Sequence, residues 1–173
     1  MTNIEIKAHC EDLDRAEKNL QSLGAGPAGT FHQKDMYFRT DKGRLKLREI
    51  GSGEAHLIFY RRENIPGPKR SDYEVAFTSD PEALRNMLKD VMGTWIEVDK
   101  KRKVWLWENV RIHLDEVKGL GQFVELEAVI DMEEGRDLGD SQERVEMLLR
   151  ALEIQPDQLV GESYSDMLAA VNA

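Results

Sequence analysis

Charged residues recur at every second position in several short segments, the spacing at which side chains of an extended strand share one face. Asn3, Glu5 and Lys7 oppose Ile4 and Ile6; Arg44, Lys46 and Arg48 oppose Leu45 and Leu47; Arg111, His113 and Asp115 oppose Ile112 and Leu114. Glu125 and Glu127 oppose Leu126 and Ala128, and Lys100 with Arg102 makes a further basic pair. Carboxylates such as Glu5, Asp115, Glu125 and Glu127 are hard oxygen donors suited to Mg2+ or Mn2+, and lysine and arginine heads donate to phosphate oxygens. A divalent cation with several basic groups is the set a polyphosphate requires, because together they offset charge on nonbridging and leaving oxygens. Taken singly, each face reads first as a solvated one, since half-exposed antiparallel strands alternate in the same way.

The elements that carry these faces follow from local pattern. Period-two alternation marks strands over residues 3–9, 33–39, 44–48, 55–62, 72–78, 104–108, 110–117 and 122–130. Turns are marked by Asp41-Lys42-Gly43, Gly51-Ser52-Gly53, Pro66-Gly67-Pro68 and Gly119-Leu120-Gly121. Helices are predicted from Asp12 to Gly24, from the Asp80-Pro81 start to Gly93, from an Asp140-Ser-Gln-Glu143 capping box through Leu152, and over 163–171. The fold class is α+β, with about eight strands in antiparallel hairpins. A sheet of that size can close into a barrel with its apolar side under helices and its polar side lining a lumen.

Length and charge set the outer limits. The 173 residues, 40% hydrophobic and 33% charged, suit one domain over 1–173 with a substantial core and argue against disorder. No apolar run approaches the ~20 residues of a membrane helix, and the start lacks a basic and apolar leader, so the reading is soluble and cytoplasmic with no membrane partner. Cys10 is the single cysteine, which excludes an internal disulfide and a thiolate metal cage. The 24 Lys and Arg against 33 Asp and Glu give −9, which argues against a nucleic-acid polymer as partner. Residues 34–118 nonetheless hold 18 basic against 15 acidic residues, so the middle of an acidic chain is locally basic.

The ordered segments resemble the CYTH superfamily, named for class IV adenylyl cyclases and thiamine triphosphatases. Asn3-Ile-Glu5-Ile-Lys7 is similar to its E-x-E-x-K opening. Gln33-x-Asp-x-Tyr-Phe38, Gly43 to Arg48, Leu57 to Arg62, Lys100-x-Arg102, Arg111 to Asp115, Gly119 to Glu127 and Ser163 to Leu168 follow in the family's order. The resemblance implies an eight-stranded antiparallel barrel, the triphosphate tunnel of these metalloenzymes, with flanking helices. It implies Glu5, Glu125 and Glu127 as ligands of Mg2+ or Mn2+, and Asp115 close to the metal or the attacking group. It implies Lys7, Lys46, Arg48, Arg61, Lys100 and Arg102 as a phosphate clamp, with Glu5, Lys7, Asp115 and Glu125 at the chemistry. A homodimer is plausible on the same ground.

Two positions depart from the pattern. Asn3 replaces a carboxylate with a neutral amide, which weakens a second metal site. Arg61 stands where many members carry lysine, and an arginine stays charged, so it cannot serve as a base. Tyr37 either orients a nucleophile or packs in the core, and the core is the simpler assignment. His9, His32 and His56 lack ligand spacing, and His113 is expected to hydrogen-bond rather than ligate. Trp105 and Trp107 should pack beneath a helix, and Gly119-Leu120-Gly121 is a turn rather than a phosphate loop.

Three functions therefore stand open. One is a metal-dependent triphosphatase acting on inorganic triphosphate, thiamine triphosphate or a nucleoside triphosphate, a hydrolase. The second is an adenylate cyclase converting ATP to cyclic AMP and pyrophosphate. The third is a module that binds polyphosphate or nucleotide without turnover. Hydrolysis needs only a positioned water and is preferred.

Overall fold

In the computed structural model, which describes residues 2–51, 53–130 and 138–172, the alternating segments close into a barrel. Its strands are β1 (Thr2–His9), β2 (Gly26–Phe38), β3 (Arg44–Ile50), β4 (Glu54–Arg62), β5 (Lys69–Thr78), β6 (Thr94–Trp107), β7 (Val110–Val117) and β8 (Gly121–Val129). They run in the order β5-β4-β3-β2-β6-β7-β8-β1, and β1 pairs back onto β5 to close the ring, every pairing being antiparallel. One edge of β1 is shared: β5 pairs with Thr2 to Glu5, and the two-residue β9 (Leu159–Val160) takes Lys7 and Ala8. No edge of β1 is left unpaired over these residues, which removes a site for unwanted strand addition.

The hairpin signals hold. In the β2–β3 turn Gly43 has φ +69°, and a Cβ there would stand 2.8 Å from the Tyr60 carbonyl oxygen, so both conformation and space call for glycine. Ser52, in the following turn, lies outside the described residues. Two strands are longer than alternation predicts: β2 begins at Gly26 and β6 at Thr94, because each supports the other through a long antiparallel ladder. The added part of β2 is mostly exposed, and in β6 the apolar Trp95, Ile96 and Val98 are followed by the charged run from Asp99 to Lys103, which interrupts the hydrophobic alternation.

Among the described residues four helices accompany the barrel: α1 (Leu13–Leu23), α2 (Pro81–Met92), α3 (Leu138–Ala151) and α4 (Tyr164–Val171). Asp12 accepts from the Arg15 amide at 2.9 Å and Asp80 from the Ala83 amide at 3.0 Å, satisfying free N–H groups at two helix starts. Ser163 and Asp166 form a reciprocal capping box before α4. The predicted box at Asp140 is corrected, since α3 starts at Leu138 and Asp140 lies inside its first turn.

Apolar packing lies outside the barrel wall. Leu13, Leu20, Val145 and Leu148 of α1 and α3 bury the outward faces of β1, β7 and β8 through Ile6, Ile112, Leu114 and Leu126, with Trp105 in the same cluster as predicted. Each such fully buried side chain contributes about 1.5–3 kcal/mol. Phe38 and Leu47 pack with Leu84, Leu88 and Met92 of α2. At one end of the barrel, Tyr164 and Leu168 of α4 join Tyr37, Tyr60, Val117 and Phe123. The wall is therefore held from outside and at one end, which frees the inward faces for charge. No helix among the described residues is long and apolar enough to cross a membrane.

Candidate functional site

Residues directly opposite one another on paired strands share a face, so register fixes what points inward. Asp35 faces Arg48 and Arg48 faces His56; Arg102 faces Asp115; His113 and Lys7 both face Glu125; Glu5 and Arg111 both face Glu127. These side chains surround a cavity of ≈ 460 Å³ inside the barrel. A larger, open cleft of ≈ 1090 Å³ lies at the α4 end, between the β2–β3 turn and the end of α2. The titratable groups converge in the smaller cavity, so that is where chemistry is placed.

Glu5, Lys7, Lys46, Arg48, Lys100, Arg102, Glu125 and Glu127 all line this lumen, and Asp115 sits fully buried behind Arg102. Arg61 does not. It is exposed on the outer face, its guanidinium 4.9 Å from the Phe59 ring, and the adjacent Arg62 lines the cavity instead. The structure therefore does not bring Arg61 to the lumen with the other expected residues. On β4 the even positions point inward, because Lys46 pairs with Ile58 and Arg44 with Tyr60. Carrying the parity of the Arg44-Lys46-Arg48 face across the hairpin would have selected Arg62.

Asp35, Arg62 and Tyr164 were not singled out from sequence. Asp35 shares a strand face with Gln33 and Tyr37, but the apolar Met36 and Phe38 around it read as core. Tyr37 has both characters weighed above. It packs in the cluster beneath α4 and also lines the lumen, its hydroxyl 3.3 Å from that of Tyr60. Tyr164 comes from α4 and could be placed only by the fold.

The buried charges form two connected systems. In the first, Asp35, 1% exposed, accepts from Lys46 Nζ at 2.8 Å and from Arg48 Nε and Nη2 at 2.7 Å each. Burial opposes its ionisation, but Arg48 and Lys46 outweigh burial and hold the carboxyl well below the ordinary range. In the second, Arg102 forks onto Asp115 at 2.7 and 2.6 Å and reaches Glu125 at 3.1 Å. Glu125 also takes Lys7 at 2.9 Å and lies 3.3 Å from His113 Nδ1, and the Tyr164 hydroxyl donates to Asp115 at 2.9 Å. Burial again opposes Glu125 ionisation, and Lys7 with Arg102 overcomes it. Glu5 pairs with Arg62 at 3.0 Å and Glu127 with Arg111 at 2.9 Å.

Removing one member of such a buried pair costs more than the pair contributes, because its partner is left charged and desolvated. The lumen thus tolerates partner exchange better than partner loss. An anion entering it can take cations now shared with carboxylates, and a metal ion can take the carboxylates so released.

Lys100, inside the lumen, has only a long ion pair. It is 3% exposed, 3.9 Å from Asp115 and 5.1 Å from the centre of the Tyr164 ring. Burial, with Arg102 beside it, pulls its ammonium down to about 7. A bound polyanion favours the charged form and raises that value, so near pH 8 binding takes up protons. Calorimetric titration of tripolyphosphate in buffers of different ionisation enthalpy should show uptake near one proton at pH 8. Lys100→Arg, which is always charged, should abolish it; uptake unchanged in that variant removes Lys100 as the source.

For a metal, one group of ligand atoms stands out among the described residues: His113, Glu125 and Glu127, all within 4.8 Å of one another. Burial and Arg102 lower His113, leaving its ring neutral at pH 7, while both glutamates are held ionised, so the donor set fits a hard divalent cation. Glu5 stands opposite Glu127 in the register and pairs with Arg62, and the third member of that group is His113.

The CYTH domain profile matches residues 1–159. A provisionally named adenylate cyclase of Methanocaldococcus jannaschii is 26% identical over 181 residues, covering 96% of this chain and 98% of its own. The Pyrococcus horikoshii protein PH1012 superposes with a TM-score of 0.82 at 20% identity, covering 95% of this chain and 98% of that one. An adenylyl cyclase candidate from Hippeastrum, described as having a dominant triphosphatase activity, superposes with a TM-score of 0.64 at 16% identity over 98% of this chain and 95% of that one. With inward cations and carboxylates in a closed eight-stranded barrel, and a profile match over most of its length, this chain belongs to the CYTH domain family.

Proposed function

We propose that the protein is a metal-dependent triphosphatase acting inside the barrel. The observation that carries this reading is the convergence, in one cavity, of buried cations with a His113, Glu125 and Glu127 group suited to a divalent ion. Lys7, Lys46, Arg48, Lys100 and Arg102 hold the phosphate chain, with Arg62 in the place first given to Arg61. Mg2+ or Mn2+ bound there, with Glu5 close by, would polarise the phosphoryl oxygens and offset charge in the transition state.

Hydrolysis breaks a bridging P–O bond as water adds to the terminal phosphorus, releasing orthophosphate and a diphosphate. The transition state is loose, so positioning and charge neutralisation matter more than a strong base. The Arg62 guanidinium orients oxygens; Asp115, forked by Arg102 and lowered, holds the Arg102 guanidinium and accepts from Tyr164. Arg48→Ala should weaken tripolyphosphate binding about 10- to 100-fold, the scale of a charge-assisted contact, as read by calorimetry. Unchanged affinity takes Arg48 out of the clamp.

The cyclase naming of the Methanocaldococcus relative favours a second reading, in which the ribose 3'-hydroxyl attacks the α-phosphorus of ATP and pyrophosphate leaves. The triphosphatase activity ascribed to the Hippeastrum protein supports the first. Incubation with Mg2+ or Mn2+ and ATP, tripolyphosphate or thiamine triphosphate separates them. Orthophosphate release is expected; cyclic AMP with pyrophosphate would establish the cyclase, and binding without turnover would leave a polyphosphate-binding module.

A further inference from the structure

The outer cleft shares a residue with the lumen. Its ≈ 1090 Å³ are lined by four cations, Arg39, Lys42, Arg44 and Arg62, against two carboxylates, Asp41 and Asp166. On a chain of net −9 this is a local excess of positive charge. Arg39 and Lys42 stand exposed beside the β2–β3 turn, and neither side chain has a hydrogen bond or ion pair among the described residues. The apolar Val91, Met92 and Trp95 complete the lining, and beside such walls a cationic cleft focuses its field on an entering anion.

The two buried cations of the cleft are tied to α4. Arg44 donates to Asp166 at 2.6 Å and to Asn64 at 2.9 Å, and the Asn64 amide donates to Asp166 at 3.0 Å. Asp166 also accepts from the Ser163 amide, closing the first turn of α4. Arg62, its side chain 1% exposed, lines both cavities. Its Nε reaches Glu5 in the lumen at 3.0 Å, and its Nη1 donates to the Gly161 carbonyl, just before α4, at 2.9 Å. The helix in turn sets Tyr164 on Asp115 at 2.9 Å. Cleft, helix start and lumen are thus joined by one run of polar contacts.

We propose that the cleft is a second site, taking an inorganic oxyanion of the orthophosphate class, and that its occupancy opposes binding in the lumen. Four cations against two carboxylates suit a dianion such as hydrogen phosphate, whereas a triphosphate requires the more numerous cations inside the barrel. An oxyanion held by Arg39 and Lys42 competes with Asp166 for Arg44. It binds more tightly where Arg44 is free, so it favours a state in which α4 is loosened and Tyr164 is drawn off Asp115. The coupling is reciprocal: triphosphate in the lumen weakens phosphate in the cleft by the same factor. On the triphosphatase reading above, on which this role rests, the oxyanion is the reaction's own product and the cleft is a feedback site.

Tripolyphosphate titrated calorimetrically into the full chain, with metal chelated and ionic strength constant, is compared at rising phosphate. Its apparent Kd should rise about fivefold or more and then level off, because a separate site saturates whereas direct competition does not. In the Arg39→Gln/Lys42→Gln double variant the same rise should need about tenfold more phosphate, with affinity in its absence unchanged. Asp166→Asn keeps an acceptor for the α4 cap but releases Arg44, so it should bind tripolyphosphate more weakly without phosphate and respond to phosphate less. No rise, a rise without a plateau, or one that the double variant reproduces at the same phosphate overturns the second site. Asp166→Asn behaving as the parent overturns the route through Arg44. Failure of tripolyphosphate to bind the parent overturns the triphosphate reading instead, and the cleft is then read by melting temperature, which phosphate should raise more in the parent than in the double variant and whose equal rise in both overturns the site.

Discussion

Glu125→Gln is expected to lower metal-dependent triphosphate turnover by about 10²–10³-fold while the barrel stays folded. Glu125 is the junction of the lumen: Lys7, Arg102 and His113 all reach it, and it belongs to the three-residue group suited to a metal. Glutamine keeps the shape and one carbonyl acceptor for Lys7 but removes the charge that would hold a divalent ion. Arg102 retains its fork on Asp115, so its guanidinium is not orphaned by the change. Steady-state phosphate release over a Mn2+ series, with circular dichroism as the fold control, reads the effect. Full activity with unchanged Mn2+ dependence would remove Glu125 from the metal site.

Asp35→Asn is expected to show the largest effect on stability, about 3–5 kcal/mol, because it leaves Lys46 and Arg48 buried without their shared anion. The pH dependence follows from the lowered carboxyl. A carboxylate depressed in the folded state contributes stability that is present above the unfolded value of about 3.9 and is lost as pH falls through the folded value. The gap between parent and variant should therefore be full at pH 7 and shrink only below about pH 4. A triphosphate supplies the missing negative charge and binds only the folded state, so it should raise the melting temperature of the variant more than that of the parent. Denaturant titrations at pH 7 and pH 3.5, and melts with tripolyphosphate, test both. A variant as stable as the parent at pH 7 would mean that Asp35 does not hold the two cations.

Much of the wall was legible because its code is strict: Ile4 and Ile6 outward, Glu5 and Lys7 inward, with a buried side that tolerates no slip. The β7 strand was predicted with its observed limits, residues 110–117, since every second residue from Val110 to Leu114 is apolar and fully buried. The same code failed at Arg61 because Tyr60-Arg61-Arg62 gives no hydrophobic alternation, and two adjacent arginines read alike until the hairpin pairing sets parity. Asp35 was missed for the opposite reason, an acid among apolar neighbours whose partners Lys46 and Arg48 lie on another strand. Tyr164 reaches the lumen from α4, a placement no sequence displays.

Charge also changed meaning. The net −9 describes the outer field, whereas the lumen sees the residues that line it. There Lys7, Lys46, Arg48, Arg62, Lys100, Arg102 and Arg111 meet the carboxylates of Glu5, Asp35, Asp115, Glu125 and Glu127, a local excess of cations within an acidic protein. That excess favours one small polyanion inside the barrel, and the acidic exterior disfavours a nucleic-acid polymer along it.

The central claim is that metal and triphosphate meet inside the barrel, drawing apart ion pairs that hold one another in their absence. A crystal soaked with Mn2+ and a nonhydrolysable triphosphate tests it most directly. Anomalous density is expected beside Glu125 and Glu127, with phosphate oxygens on Lys46, Arg48 and Arg102. Triphosphate seated in the outer cleft by Arg39, Lys42 and Arg44, with the Lys7–Glu125 and Arg48–Asp35 pairs intact, would contradict it.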